Sequence, residues 1–284
     1  MLAPIAAVFV LLLAFAVFCR WLLANPRQDV AAGLVVRGFQ IYGRVVHGLR
    51  ATGLENIPDT RFPGPLLIVA NHTAGIDPIV VQAFCPFEVR WLMARDMMID
   101  AGKDFWDWAG VIGVDRGAQD ASSVRVALRH LRSAAKQPEG FGAVGLFPEG
   151  GIERPPGQIM PFLPGVGAII KKARCRVLPV LITGTPQVDP AWASLWHTSK
   201  TTVHFGEILD YTDSPLDPVG IANDLRHRLL ERSGWRANNV PGPWDPNPAQ
   251  TLEVLGIEPT PAELEAVARL QAERYQISSD APIS

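Results

Sequence analysis

Short apolar runs alternate with helical stretches through the middle of this chain, and that alternation constrains its fold more than any other feature. The runs fall at 66–70, 89–94, 111–114, 143–147, 177–182 and 203–205. Each is bounded by turn residues and has strand length. Between and after them lie helical stretches at 77–84, 96–108, 121–136, 165–173 and 216–235. In the third of these, Val124, Leu128, Leu131 and Ala135 recur at helical spacing. The pattern predicts an α/β fold with a largely parallel central sheet flanked by helices.

At 284 residues, 48% hydrophobic and 19% charged, the chain has material for one sizeable core or two small ones. A net charge of -2 argues against a general nucleic-acid binder. Cys19, Cys85 and Cys175 are odd in number and far apart, so neither a disulfide framework nor a structural zinc site is expected. No metal is predicted.

Residues 1–19 contain no charged side chain, and Trp21-Leu22-Leu23-Ala24 continues the apolar character past Arg20. Nineteen helical residues span roughly 28 Å, close to the roughly 30 Å of bilayer hydrocarbon. The length of the run, and the lack of Lys or Arg before it, disfavour a cleavable signal peptide. Arg20, Arg27, Arg37, Arg44 and Arg50 follow, against Asp29 alone. That excess predicts a cell-membrane protein with the following domain on the cytoplasmic side. Residues 30–50 read as an amphipathic helix that lies in the interface or packs on the domain. The expected organisation is an anchor at 1–50 (apolar helix 1–24, amphipathic helix 30–50), a main domain at 51–235, and a linker with a final helix at 236–284. Thr260 and Glu263 form a capping box for that last helix.

Three strand ends carry polar chemistry. Asn71-His72-Thr73-Ala74-Gly75-Ile76-Asp77-Pro78 follows the first apolar run. Imidazole is the general base best matched to neutral pH, and a carboxylate on its other ring nitrogen sets the tautomer. Gly75 between His72 and Asp77 suggests a tight turn that folds the acid back onto the ring. Asp77-Pro78 also reads as a plain helix start, with Asp as N-cap. Gly145-Leu146-Phe147-Pro148-Glu149-Gly150-Gly151 is a strand running into a loop whose glycines let a ligand approach the backbone. Glu149 and Arg154 there offer an acceptor and a cation for a polar headgroup, although an ordinary polar turn has the same composition. Gly110 to Gly117 ends a further strand with Arg116, whose planar fork suits phosphate.

Taken in order, these segments resemble the glycerolipid acyltransferase superfamily, typified by 1-acylglycerol-3-phosphate acyltransferases. His72 through Asp77 is similar to its His-x4-Asp motif, Gly110 to Arg116 to its second motif and Phe147-Pro148-Glu149-Gly150 to its third. Val177-Leu178-Pro179-Val180 is similar to its fourth. The match covers roughly 52–207. The resemblance implies direct acyl transfer from acyl-CoA or acyl-carrier protein to a lysophospholipid-type hydroxyl, with no cofactor and with membrane lipids as partners. It implies His72 as base, Asp77 as its orienter, and Arg116, Glu149, Gly150 and Arg154 at the acceptor headgroup. The family's third motif continues with Thr-Arg, whereas this chain has Gly151-Ile152-Glu153-Arg154. That change bears on which acceptor is used, with glycerol phosphate and lyso-aminolipids as alternatives. A hydrolase and a catalytically idle lipid-binding scaffold are the readings from other classes.

Two other features are set aside. Gly140-Phe141-Gly142-Ala143-Val144-Gly145 fits a dinucleotide pattern but leads into a strand rather than opening a helix. Cys85 sits among apolar residues, the setting of an inert core thiol.

Overall fold

Every residue of the strand Leu66–Ala70 is buried. Such a strand needs cover on both faces, the condition of a parallel sheet between helix layers. The computed structural model describes residues 2–115, 121–136, 142–152, 156–242, 245 and 247–269. The strands are β1 (Arg50–Thr52), β2 (Leu66–Ala70), β3 (Val89–Ala94), β4 (Ile112–Val114) and β5 (Ala143–Leu146), then β6 (Gln158–Ile159), β7 (Arg176–Thr183), β8 (Thr202–Phe205), β9 (Leu209–Asp210) and β10 (Arg236–Ala237). The main sheet runs β1-β8-β7-β2-β5-β3-β4, with β9 beside β7. Its pairs are parallel except β7 with β8 and β7 with β9.

The helices are α1 (Leu2–Leu23), α2 (Val30–Val46), α3 (Asp77–Gln82), α4 (Lys103–Trp108), α5 (Ala121–Lys136), α6 (Gly165–Ala173), α7 (Pro218–Ser233) and α8 (Pro248–Leu255). Alternation along β2 divides the core. Leu67 and Val69 pack with Leu131 of α5, Ile170 of α6 and Leu225 of α7, whereas Leu66, Ile68 and Ala70 pack with Val80 and Val81 of α3. Fully burying each such aliphatic side chain contributes about 1.5–3 kcal/mol.

Helix α1 is built differently. It is long and apolar enough to cross a membrane, yet its apolar side chains are largely exposed, Phe9 at 73%. Asp29 caps α2 by accepting from Ala32 N–H at 2.8 Å. Between the two helices, Arg27 forks onto Glu88 at 2.6 and 2.9 Å and donates to the Trp108 carbonyl at 2.5 Å. Its guanidinium lies 4.3 Å from the Trp108 ring centroid. This tie fixes the hairpin to the start of β3 and the end of α4.

Two regions depart from expectation. The stretch 96–108 is not one helix: it holds two 3-10 turns, Arg95–Met97 and Asp100–Gly102, before the short α4. Trp106 Nε1–H donates to the Ile99 carbonyl at 3.1 Å, and that bond draws the chain into a loop there. The segment after 236 is not a plain linker. β10 pairs with β6, and α8 follows. The buried Arg226 of α7 donates to the carbonyls of Ile159 at 3.0 Å and Asn238 at 2.8 Å, ordering a stretch poor in apolar residues. Residues 261–269 are helical. Glu263 accepts from Thr260 N–H at 2.7 Å, and Thr260 Oγ1 accepts from Glu263 N–H at 3.3 Å, the capping box expected there.

Candidate active site

Where β2 ends, its backbone parts from β7, and the Asn71 side chain takes over the pairing. Asn71 Oδ1 accepts from Ile182 N–H at 2.7 Å and its Nδ2 donates to the Ile182 carbonyl at 2.9 Å. The next residue, His72, leaves the sheet. Its turn is closed by Asp77, which is fully buried: Oδ2 accepts from Thr73 N–H at 2.6 Å, Ala74 N–H at 2.9 Å and His72 Nδ1 at 2.9 Å. Asp77 therefore does not cap α3. Ile76 holds the N-cap position, and the acid folds back as the spacing around Gly75 suggests. Gly75 is needed because a Cβ there would lie 2.6 Å from the Ala191 carbonyl oxygen.

A carboxylate oxygen only accepts, so a neutral imidazole presents Nδ1–H to Asp77 Oδ2 and keeps its lone pair on Nε2. Nε2 has no hydrogen bond among the described residues. The ring is also held by its face. His72 stacks on Phe147 at 4.1 Å between centroids, and Phe147 stacks on Trp91 at 5.1 Å. Trp91 fits because its register partner on β5 is Gly145, where a Cβ would meet the indole at 2.5 Å.

Glu149 is expected at the acceptor headgroup. It is 1% exposed, its Oε1 accepts from His72 N–H at 2.7 Å, and its Oε2 accepts from Met160 N–H at 2.9 Å. A carboxylate with both oxygens on backbone amides is an internal brace. It joins the turn after β5 to the residue that carries the imidazole and to the strand end at β6. Gly150, at φ +71°, lines the same cavity as His72, and a Cβ there would lie 3.1 Å from Leu163 Cδ1. Arg116 and Arg154 lie outside the described residues, as does Glu153. Val114, at the end of β4, also lines the cavity.

That cavity has a volume of about 880 Å³. Trp91, Leu146, Met160, Leu163, Val166 and Ile169 give it an apolar wall, with His72 on its boundary. Its size is that of a ligand pocket for a molecule with a long apolar part. Cys85 is buried at the other core face, and burial pushes its thiol far above the ordinary range. An unionised thiol is no nucleophile.

Asn71, Phe147 and Trp91 are parts of the site that motif spacing alone did not single out. A glycine inside a strand opposite a tryptophan is the signal for the stack. An amide residue directly after a strand is the signal for the Asn71 splice.

No curated protein sequence matches the chain. The acyltransferase family model matches residues 48–183. The fold is similar to that of PlsC from Thermotoga maritima, a 1-acyl-sn-glycerophosphate (LPA) acyltransferase. The TM-score is 0.55 and the identity 18%, over 70% of this chain and 78% of that one. The matched segment runs from just before β1 to the end of β7 and contains His72, Asp77 and Glu149, so over this stretch the chain is similar to the acyltransferase family, on a fold like that of PlsC.

Proposed function

We propose that this chain transfers a fatty acyl group from an acyl thioester, acyl-CoA or acyl-carrier protein, to the hydroxyl of a lysophospholipid-type acceptor, 1-acylglycerol-3-phosphate first among them. The observation that carries this reading is the His72–Asp77 contact at 2.9 Å with Nε2 free at the edge of an apolar cavity. Nε2 takes the hydroxyl proton as the acceptor oxygen bonds to the thioester carbonyl carbon. The tetrahedral intermediate then expels the thiolate, which recovers that proton from the imidazolium. The acyl chain occupies the apolar wall. Gly150 lets the acceptor approach the backbone, and Arg116 and Arg154 supply cations for its headgroup. Glu149 holds the His72 backbone rather than the substrate.

In this reading α1 anchors the protein in the cell membrane and the excess of arginines after it keeps the sheet on the cytoplasmic side. Lipid acceptors then reach the cavity from the bilayer.

The test is thiol release from acyl-CoA and from acyl-carrier protein against a panel of lyso-acceptors, with His72→Ala alongside. Acceptor-dependent release that drops about 10²–10⁴-fold in the variant is expected. Release without any acceptor assigns a thioesterase instead, and release that survives the substitution removes His72 from the mechanism.

A further inference from the structure

A second cavity, of about 350 Å³, lies where the α1–α2 hairpin meets the end of α3. Leu23, Pro26, Arg37, Gln40, Arg61 and Phe84 line it, and no Asp or Glu does. The two guanidinium groups there contrast with Arg27 nearby, whose charge is met by Glu88. Arg37 donates from Nη2 to the carbonyls of Trp21 at 3.1 Å and Ala24 at 2.9 Å, and from Nη1 to Gln40 Oε1 at 2.8 Å. Its Nε is buried with no acceptor. Arg61 spends Nε and Nη2 on a single carbonyl, that of Pro26, at 2.9 and 2.7 Å. Neither arginine has a carboxylate within ion-pair distance among the described residues.

Two cations thus share one acid-free cavity and keep N–H donors in hand. Arg37 also lies 4.9 Å from the Trp21 ring centroid and Arg61 5.0 Å from that of Phe62. Carbonyls and ring faces orient a guanidinium without supplying an opposite formal charge, and phosphate oxygens are the acceptors that match its fork. The place adds to the argument. The cavity begins at Leu23, the last residue of α1, so a helix crossing the bilayer would bring it level with the lipid phosphates. Its volume suits a phosphate with its glycerol and leaves acyl chains to run along α1.

We propose that Arg37 and Arg61 form a binding site for a phosphate anion, that of an anionic phospholipid headgroup, separate from the His72 cavity. The lipid source rests on the membrane reading of α1, whereas the anion site does not.

The test uses the full chain in zwitterionic detergent, titrated calorimetrically with dihexanoylphosphatidylglycerol, dihexanoylphosphatidylcholine and inorganic phosphate. Saturable binding of the phosphatidylglycerol, weakened about tenfold or more by Arg61→Gln, is expected. His72→Ala should bind as the parent does, so loss of acyl transfer and loss of this site are told apart. Arg61→Lys, which keeps charge without the fork, should fall between parent and Arg61→Gln. Phosphate binding as tightly as the lipid, with the same Arg61 dependence, supports the anion site and assigns it to free phosphate. Equal binding of both lipids, or binding indifferent to Arg61, overturns the proposal.

Discussion

The turns after β2 and β5 stand side by side in the sheet, each carries a buried carboxylate, and the two acids act on different parts of one histidine. Asp77 belongs to the same turn as His72 and holds its ring through Nδ1. Glu149 comes from the neighbouring turn and holds its backbone through N–H. The first contact decides which nitrogen keeps a lone pair. The second decides where that nitrogen sits relative to the cavity wall, because the other oxygen of Glu149 is bonded to Met160, which lines the cavity. One acid sets protonation and the other sets position, a division that residue type alone does not reveal.

The sharpest way to break this comparison is Asp77→Asn. An amide keeps the shape but no longer requires Nδ1–H, so kcat should fall about 10²–10⁴-fold in the acyl-transfer assay. A fall of less than threefold would leave Asp77 as a turn residue only.

Glu149→Gln comes next. One amide of the His72–Met160 pair loses its acceptor, costing about 1–3 kcal/mol in stability. Small misplacement of the imidazole should lower kcat roughly 10–100-fold with the acceptor KM held. A raised acceptor KM with kcat preserved would return Glu149 to the headgroup and erase the contrast with Asp77.

The smallest effect expected is at His130 of α5, outside both turns. Burial, helped by the Arg90 charge, lowers its pKa to about 4. The unfolded chain therefore takes a proton near pH 6.5 that the folded one refuses, and stability drops as pH falls from about 6.5 to about 4. His130→Gln should flatten the decline in Tm across that window and leave kcat alone. A change in kcat would mean that the two turns are coupled to α5.

Where periodicity dominates, the sequence was enough. β2 and β3 have the bounds that their apolar runs predict, and α5 and α6 have those of their helical stripes. The folding back of Asp77 was legible in Gly75 and the five-residue spacing, but Asp77-Pro78 offered a helix cap as an equal alternative. The role of Glu149 was not. Its partners lie 77 and 11 residues away, and only the pairing of β2 with β5 brings the first within reach. The order after 236 was hidden for the same reason. Its turn at Asn238 is held by Arg226, a side chain from α7.

The Asn71 splice has a consequence for how activity arises during folding. The histidine turn is secured by contacts to Ile182, Thr185 and Glu149, which are 111, 112 and 77 residues from their partners. Contacts closed over such long loops form late, after local helices have appeared. In refolding from denaturant, acyl transfer should therefore return after the helical circular-dichroism signal, with the same time course as the pairing of β2 with β7. Simultaneous recovery of both signals would show that the turn assembles on its own. A chain released before β7 is made holds His72, Asp77 and Glu149 but lacks the strand that Asn71 grips, so the turn is completed with β7 rather than with these three residues.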